Sequence, residues 1–303
     1  MVDMTEPIQW AVAIHGGAGV IARTMPPEAA RVRMERLQEV VSNASAALAA
    51  GTAALDVVEQ AVAELEEIPE FNAGRGAVLT SEGTHELEAA IMDGSSGDCG
   101  AVCLVREIRH PIHLARRVLE TSPHVLLAGA TAEAMGEDLE RVSNEWFTTP
   151  LRREQWQQWK DTASAADARG PATVGAVARD HSGRLAAATS TGGRTGKPPG
   201  RIGDTPTIGA GTWADDRCAV SGTGHGEAFM ACVAGHAVAA RMKLQGKALS
   251  EAVQEVVGDC LPPGSGGLVA VDDQGRIEMP FNCEGMYRGA ADATGRSEVA
   301  IWR

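Results

Sequence analysis

TVGAVARDHSGRLAAATSTGG, residues 173–193, decides how this chain folds. Two runs that are apolar on both alternating faces, 174–179 and 185–191, flank Asp180-His181-Ser182-Gly183. An Asp and a Gly at those places suit a tight turn, so the stretch reads as an antiparallel hairpin covered on both sides. The pattern returns as 268–271, Asp272-Asp273-Gln274-Gly275 and 277–280. Residues 8–14 read as another buried strand, and extended segments are expected around 86–92 and 100–105. Helical spacing of apolar residues runs through 26–50, 55–65, 112–120, 123–135, 226–244 and 250–257. Strands buried on both faces need cover outside as well as between them. The expectation is therefore an α+β fold of two antiparallel sheets sandwiched between helical layers.

The whole chain has 303 residues and a formal net charge of −13, with one Tyr and four Phe. An acidic surface poor in aromatic rings argues against nucleic acid, which needs clustered cations and stacking platforms. No apolar run approaches the roughly 18 residues of a membrane span. The segment 8–14 is also too short, and lacks the preceding basic run, for a signal peptide. A cytoplasmic location follows as an expectation. Six scattered Cys show no C-x-x-C spacing, so free thiols are expected rather than a zinc or disulfide framework. His110 and His113 have no acid or Cys at ligand spacing in sequence and read as surface residues. Residues 161–172, small, polar and aperiodic, read as an exposed linker that stops against Thr173.

Glycine-rich loops invite nucleotide readings, and these fail. Gly196-Lys197 is followed by Pro198 where a phosphate loop needs Ser or Thr. HGGAG at 15–19 suggests a hydrolase oxyanion loop, yet no G-x-S-x-G elbow accompanies it. Spacing across 173–227 is more informative. A turn centred on 181–182 sets residue 173 opposite 190 or 191, which brings Thr173 beside Thr191. Arg201 and Asp204 follow in a Gly/Pro loop. They form either a salt bridge at i, i+3 or a cation and an anion held for the α-carboxylate and α-ammonium of an amino acid. Thr223 and Gly224 precede a helix, where Thr223 serves either as a simple cap or as a hydroxyl facing an oxyanion.

These residues carry a resemblance to the plant-type (type III) L-asparaginase and isoaspartyl aminopeptidase family of N-terminal-nucleophile threonine hydrolases. The similar stretches, in the family's order, are HGGAG at 15–19, FNAGRGAVLT at 71–80, HELEAAIMDG at 85–94 and SPHV at 122–125. TVGAVARD at 173–180, ATSTGG at 188–193, PGRIGDTP at 199–206, TGHGEAF at 223–229, GSGGL at 264–268 and PFNCEGMYR at 280–288 complete the set.

The resemblance implies an αββα sandwich made as a precursor that cuts itself between Ala172 and Thr173. Residues 1–172 and 173–303 would then be two subunits of one structural domain. Cleavage has a chemical reason: an internal Thr173 has only an amide nitrogen, whereas a chain-terminal amine of pKa roughly 7.7–8.0 is a base beside its own hydroxyl. Substrates would be L-asparagine and β-aspartyl dipeptides. By resemblance Thr191 bonds the nucleophile, Arg201 clamps the α-carboxylate and Asp204 anchors the α-ammonium, helped by the Gly226 carbonyl. Thr223 and the Gly224 N–H would form the oxyanion hole, and Asn72 would support the catalytic threonine. A sodium ion, or potassium, would lie among the main-chain carbonyls of Leu65, Glu66, Ile68, Phe71, Ala73 and Arg75, with no organic cofactor. The implied assembly is a dimer of cleaved units, (αβ)₂.

Two departures from the family are visible. Many members carry Gly before the nucleophile, where this chain has the stiffer Pro171-Ala172, which bears on processing rate. Residues 194–198, Arg-Thr-Gly-Lys-Pro, are more apolar in most members and bear on leaving-group preference. Two other readings stay open at this point: a glycosylasparaginase, and an unprocessed binding protein on the same fold.

Overall fold

The computed structural model describes residues 8–162 and 173–303. An eight-stranded sheet has the order β12-β11-β1-β5-β6-β2-β3-β4, and a second sheet the order β10-β9-β8-β7. In the first, β1 is Ala11–Gly19, β2 Leu87–Asp93, β3 Cys99–Val105, β4 Leu126–Ala128, β5 Val174–Arg179, β6 Leu185–Thr191, β11 Gly285–Asp292 and β12 Ser297–Ala300. The second contains β7 Thr212–Ala214, β8 Cys218–Gly224, β9 Gly266–Asp272 and β10 Ile277–Glu278. Helices α1 (Pro27–Ala49), α2 (Ala54–Glu66) and α3 (Pro111–Thr121) cover the large sheet. Helices α6 (Gly226–Cys232), α7 (Ala234–Gln245) and α8 (Leu249–Glu255) cover the small one.

Side-chain alternation separates the layers. Val12, Ile14, Val174, Ala176, Ala178, Ala186 and Ala188 pack with the residues of α1–α3. Their odd-numbered neighbours Ala11, Ala13, Val177, Leu185 and Ala187 meet Ala219, Val269 and Val271 between the sheets. Val220, Leu268 and Ala270 point the other way, onto α7 and α8. Three apolar interfaces thus hold four layers, as expected. Full burial of a Val or Leu contributes about 1.5–3 kcal/mol. A one-residue slip of β5 would reverse this set and turn Thr173 away from the space between the sheets.

The β5–β6 hairpin forms as read, with Val174 opposite Ser190 and Arg179 opposite Leu185. Several details correct the sequence reading. The segment 123–135 is not one helix: β4 is followed by a short α4, Gly129–Glu133. β4 runs parallel to β3, because α3 crosses over and returns the chain in the same direction, so the large sheet is not wholly antiparallel. The helix expected over 226–244 breaks at Val233, whose φ is +49°. There the Gly235 and His236 N–H groups donate to the carbonyls of Ala210 and Gly209 at 3.0 and 2.8 Å, starting a new helix. α8 ends near 255, and a single π-turn, Val256–Cys260, follows. α5 (Pro150–Thr162) went unread because it is polar almost throughout, Arg152 being its buried residue. It absorbs residues 161–162 of the expected linker; 163–172 lie outside the described residues.

His110 and His113 are not free surface groups. His110 Nδ1 is 3.1 Å from Glu66 Oε2 and His113 Nδ1 is 2.7 Å from Glu59 Oε1, both half-buried. The six thiols are free. Among the described residues no helix is long and apolar enough to cross a membrane.

Candidate active site

Alternation that fills the core also gathers the threonines. Thr173, Thr191 and Thr223 all point into the space between the sheets, at one end of it, and all are buried. The Thr173 hydroxyl donates to Thr191 Oγ1 at 3.1 Å, and the Gly193 N–H donates to the same oxygen at 2.9 Å. Thr173 has φ +77°. A β-branched residue in the left-handed region is an outlier costing on the order of 1–3 kcal/mol. Thr223 does not cap α6, whose preceding residue is His225; its Oγ1 accepts the Ala18 N–H of the HGGAG loop at 3.2 Å. The simple-cap reading of Thr223 is therefore set aside.

Beneath these residues lies a polar layer that the sequence reading missed. His15 Nε2 is 2.9 Å from Ser221 Oγ, which is 2.8 Å from Thr189 Oγ1, itself 2.7 Å from Thr212 Oγ1. Thr212 lies 3.1 Å from the Thr205 carbonyl, next to Asp204. Gly175 makes room for this chain: a Cβ there would sit 2.0 Å from Ser221 Oγ. Burial lowers the His15 pKa to about 3, against a smaller rise from the Thr173 backbone, so the ring stays neutral and serves as a fixed hydrogen-bonding strut. Its signal in the sequence was alternation: Thr189 and Ser221 share the face of Thr191 and Thr223.

Asn72 does not reach Thr173 directly. Its side chain accepts the Val78 N–H at 2.9 Å and donates to the Gly193 carbonyl at 2.7 Å. It thus braces the turn whose N–H holds Thr191, a positioning role.

The loop at 199–206 is held from behind by carboxylates. Glu88 Oε2 accepts the Gly203 N–H at 2.9 Å and Glu86 Oε2 the Gly200 N–H at 2.8 Å. Lys197 Nζ neutralises Glu88 at 3.1 Å, both side chains being about fully buried. Lys197→Met would strand that carboxylate, and a loss of about 3 kcal/mol is expected in denaturant unfolding.

Arg201 and Asp204 do not pair with each other. Arg201 donates to Glu227 Oε1 at 3.0 and 3.2 Å. Asp204 is buried, its Oδ2 has no hydrogen-bond partner among the described residues, and burial pushes its pKa up to about 7. Gly226 lies between them: a Cβ there would be 2.7 Å from Asp204 Oδ1 and 2.9 Å from Arg201 Nη2. One narrow pocket is lined by Thr173, Thr191, Arg194, Arg201, Asp204, Gly224 and Gly226. The structure thus brings Thr173, Thr191, Arg201, Asp204, Gly224 and Gly226 into one pocket; Thr223 faces the same space between the sheets without lining that pocket, Asn72 stands behind, and Ala172 lies outside the described residues. Arg194, from the 194–198 segment that the sequence reading tied to leaving-group preference, also lines the pocket, and Glu227, which that reading had not placed, pairs with Arg201.

Two sheets face to face, with a threonine opening a strand at their polar end, define the N-terminal-nucleophile hydrolase class of sandwich. The chain belongs to the asparaginase family, whose sequence model matches residues 8–301. It is similar to an isoaspartyl peptidase of Salmonella typhimurium, 47% identical over 96% of this chain and 98% of the relative. It is also similar to a probable isoaspartyl peptidase/L-asparaginase 2 of Arabidopsis thaliana, 41% identical over 97% and 99%. An isoaspartyl peptidase/L-asparaginase of Xenopus laevis is 39% identical over 91% and 90%.

Proposed function

We propose that the chain is a precursor that cuts itself before Thr173, and that its mature form hydrolyses L-asparagine and β-aspartyl dipeptides. The carrying observation is the Thr173–Thr191 hydroxyl pair at 3.1 Å, in a pocket lined by Arg201, Arg194 and a buried Asp204 whose Oδ2 has no hydrogen-bond partner among the described residues. The names of the relatives support the same substrates. In the precursor, the Thr173 hydroxyl attacks the Ala172 carbonyl, the peptide C–N bond breaks, and an ester with a free α-amine results. Water hydrolyses the ester, leaving Thr173 as a new terminus. Backbone strain at φ +77° favours the uncut bond's rupture.

The freed amine then takes the hydroxyl proton while Thr173 attacks the side-chain carbonyl of the substrate. Thr191 orients the nucleophile, and Thr223 Oγ1 with the Gly224 N–H receives the developing oxyanion. Ammonia or an amino acid leaves, and water releases aspartate from the ester. Arg201 meets the α-carboxylate and Asp204 the α-ammonium. The cut halves stay together because β5 and β6 lie between β1 and β2 in one sheet. We propose the (αβ)₂ dimer as the working assembly.

An alkali ion fits the 65–76 loop. The carbonyls of Phe71, Ala73 and Arg75 accept no hydrogen bond among the described residues. A Cβ on Gly76, whose φ is +110°, would fall within 2.7 Å of the Pro69 and Phe71 oxygens, so carbonyls converge there. The main-chain oxygens of Leu65, Glu66, Ile68, Phe71, Ala73 and Arg75 would hold sodium or potassium. Bound there, the ion would stiffen the loop that carries Asn72. Exchange into choline chloride should lower Tm by several degrees, with recovery on adding NaCl; an ion at 100 times its Kd contributes about 2.7 kcal/mol.

Intact mass after incubation tests the main proposal: two fragments meeting at 172/173, together with release of aspartate from both substrates. A chain that stays whole and inert would favour a binding protein instead. For the oxyanion role, Thr223→Val should lower kcat about 10²-fold with little change in KM.

A further inference from the structure

The pocket contains a second guanidinium that the mechanism above leaves unused. Arg194 lines it beside Arg201, and a Cβ on Gly193, the residue before Arg194, would be 3.3 Å from Arg201 Nη1. The Arg201 side chain is 14% exposed and that of Arg194 is 30%, which sets Arg194 nearer the mouth. Among the described residues Arg194 donates no side-chain hydrogen bond, and its one ion pair, to Glu227, is long at 3.9 Å. Its backbone is nevertheless fixed. The Lys197 N–H closes a turn onto the Arg194 carbonyl at 3.0 Å, and the Gly196 N–H bonds the Leu79 carbonyl at 2.8 Å. Trp159 packs where a Cβ on Gly196 would be.

We infer that Arg194 binds the carboxylate of the departing amino acid of a β-aspartyl dipeptide, and so sets a preference for dipeptides over asparagine. The inference rests on the reading of the site given above and names which of its two substrates the pocket is built for. The charges support it. The aspartyl part of either substrate carries one carboxylate and one ammonium, which Arg201 and Asp204 answer. A dipeptide carries a second carboxylate on the leaving side, whereas asparagine loses neutral ammonia and offers nothing there. Arg is suited to that group because its planar fork matches a carboxylate with two parallel hydrogen bonds. Glu227 does not occupy it: that carboxylate is already shared by Arg201 at 3.0 Å and His225 at 3.3 Å.

The test compares kcat/KM of the processed enzyme for β-Asp-Leu, β-Asp-leucinamide and L-asparagine. The amide keeps everything except the second carboxylate. Wild type is expected to favour β-Asp-Leu over its amide about 10- to 100-fold, the range of a charge-assisted hydrogen-bond pair. In Arg194→Met that ratio should collapse toward one, and β-Asp-Leu should lose about tenfold relative to asparagine. Arg194→Lys should recover part of the ratio. An equal fall on all three substrates, or a ratio that persists in the Met variant, assigns Arg194 to charge balance around Glu227 and overturns the inference. A wild type that prefers the amide or treats both alike overturns it without any variant. Should the wild type hydrolyse none of the three, the reading of the site itself fails and the inference with it.

Discussion

Thr173→Ala should yield one uncut species of 31.6 kDa, with hydrolysis of asparagine and β-Asp-Leu at least about 10⁴-fold below wild type. Both losses have one cause. In the proposed mechanism the hydroxyl that opens the preceding peptide bond is the one that later attacks substrate, and the amine that activates it does not exist until that bond has opened. Thr173→Ser keeps the hydroxyl and should still cut and still turn over, more slowly, because the methyl that fixes the Thr rotamer is gone. Mass spectrometry and aspartate release, read on the same samples, decide the matter. Turnover by the alanine variant would remove the foundation of the proposed mechanism.

The second large effect is on Asp204, and it has a pH signature. Burial is the main cause of its raised pKa, about 7 in the free site; the Glu88 charge adds to it, while its own backbone N–H and Arg201 oppose. Because the folded value lies above that of an exposed Asp, the carboxyl is protonated below about pH 7. In the proposed role a substrate ammonium binds the ionised form, so capture would release that proton. As pH falls through 7, kcat/KM should drop about tenfold per unit, in addition to the limb of the terminal amine near 7.7–8.0. In the complex the ammonium holds the carboxylate ionised, so kcat should keep the amine limb alone. Asp204→Asn should raise KM about 10³-fold and erase the lower limb of kcat/KM. A variant that retains both limbs would assign the pH dependence to another group.

Much of this was legible in the chain. Alternation in 174–179 and 185–191 fixed the hairpin, its turn fixed the register, and the register set Thr173 opposite Thr191. The same period of two implied a four-layer sandwich, since apolar residues on both faces require two covers. Helix limits were less legible where the decisive contact is distant. The break at Val233 depends on carbonyls at 209 and 210, and α5 is held by the buried Arg152, by the Trp156 N–H on the Thr80 carbonyl and by Trp159 against Gly196 rather than by an apolar stripe. The Arg201–Asp204 pair was readable as chemistry but not as geometry. Their spacing permits a salt bridge, and only packing shows Arg201 turned to Glu227 and, among the described residues, Asp204 left without a partner at Oδ2.

Sequence by itself determined the class of fold and the placing of Thr173 opposite Thr191, because period and turn length are local properties of a strand pair; the role proposed for Thr173 came from the family resemblance. Tertiary structure alone decided which charges meet. His15 of β1 meets Thr189, Thr212 and Ser221 of β6, β7 and β8 from the far end of the chain, and Arg194 joins Arg201 in one pocket because Trp159 of α5 packs against the intervening turn at Gly196. Those contacts depend on burial and on distance through space, which no local pattern of residues encodes.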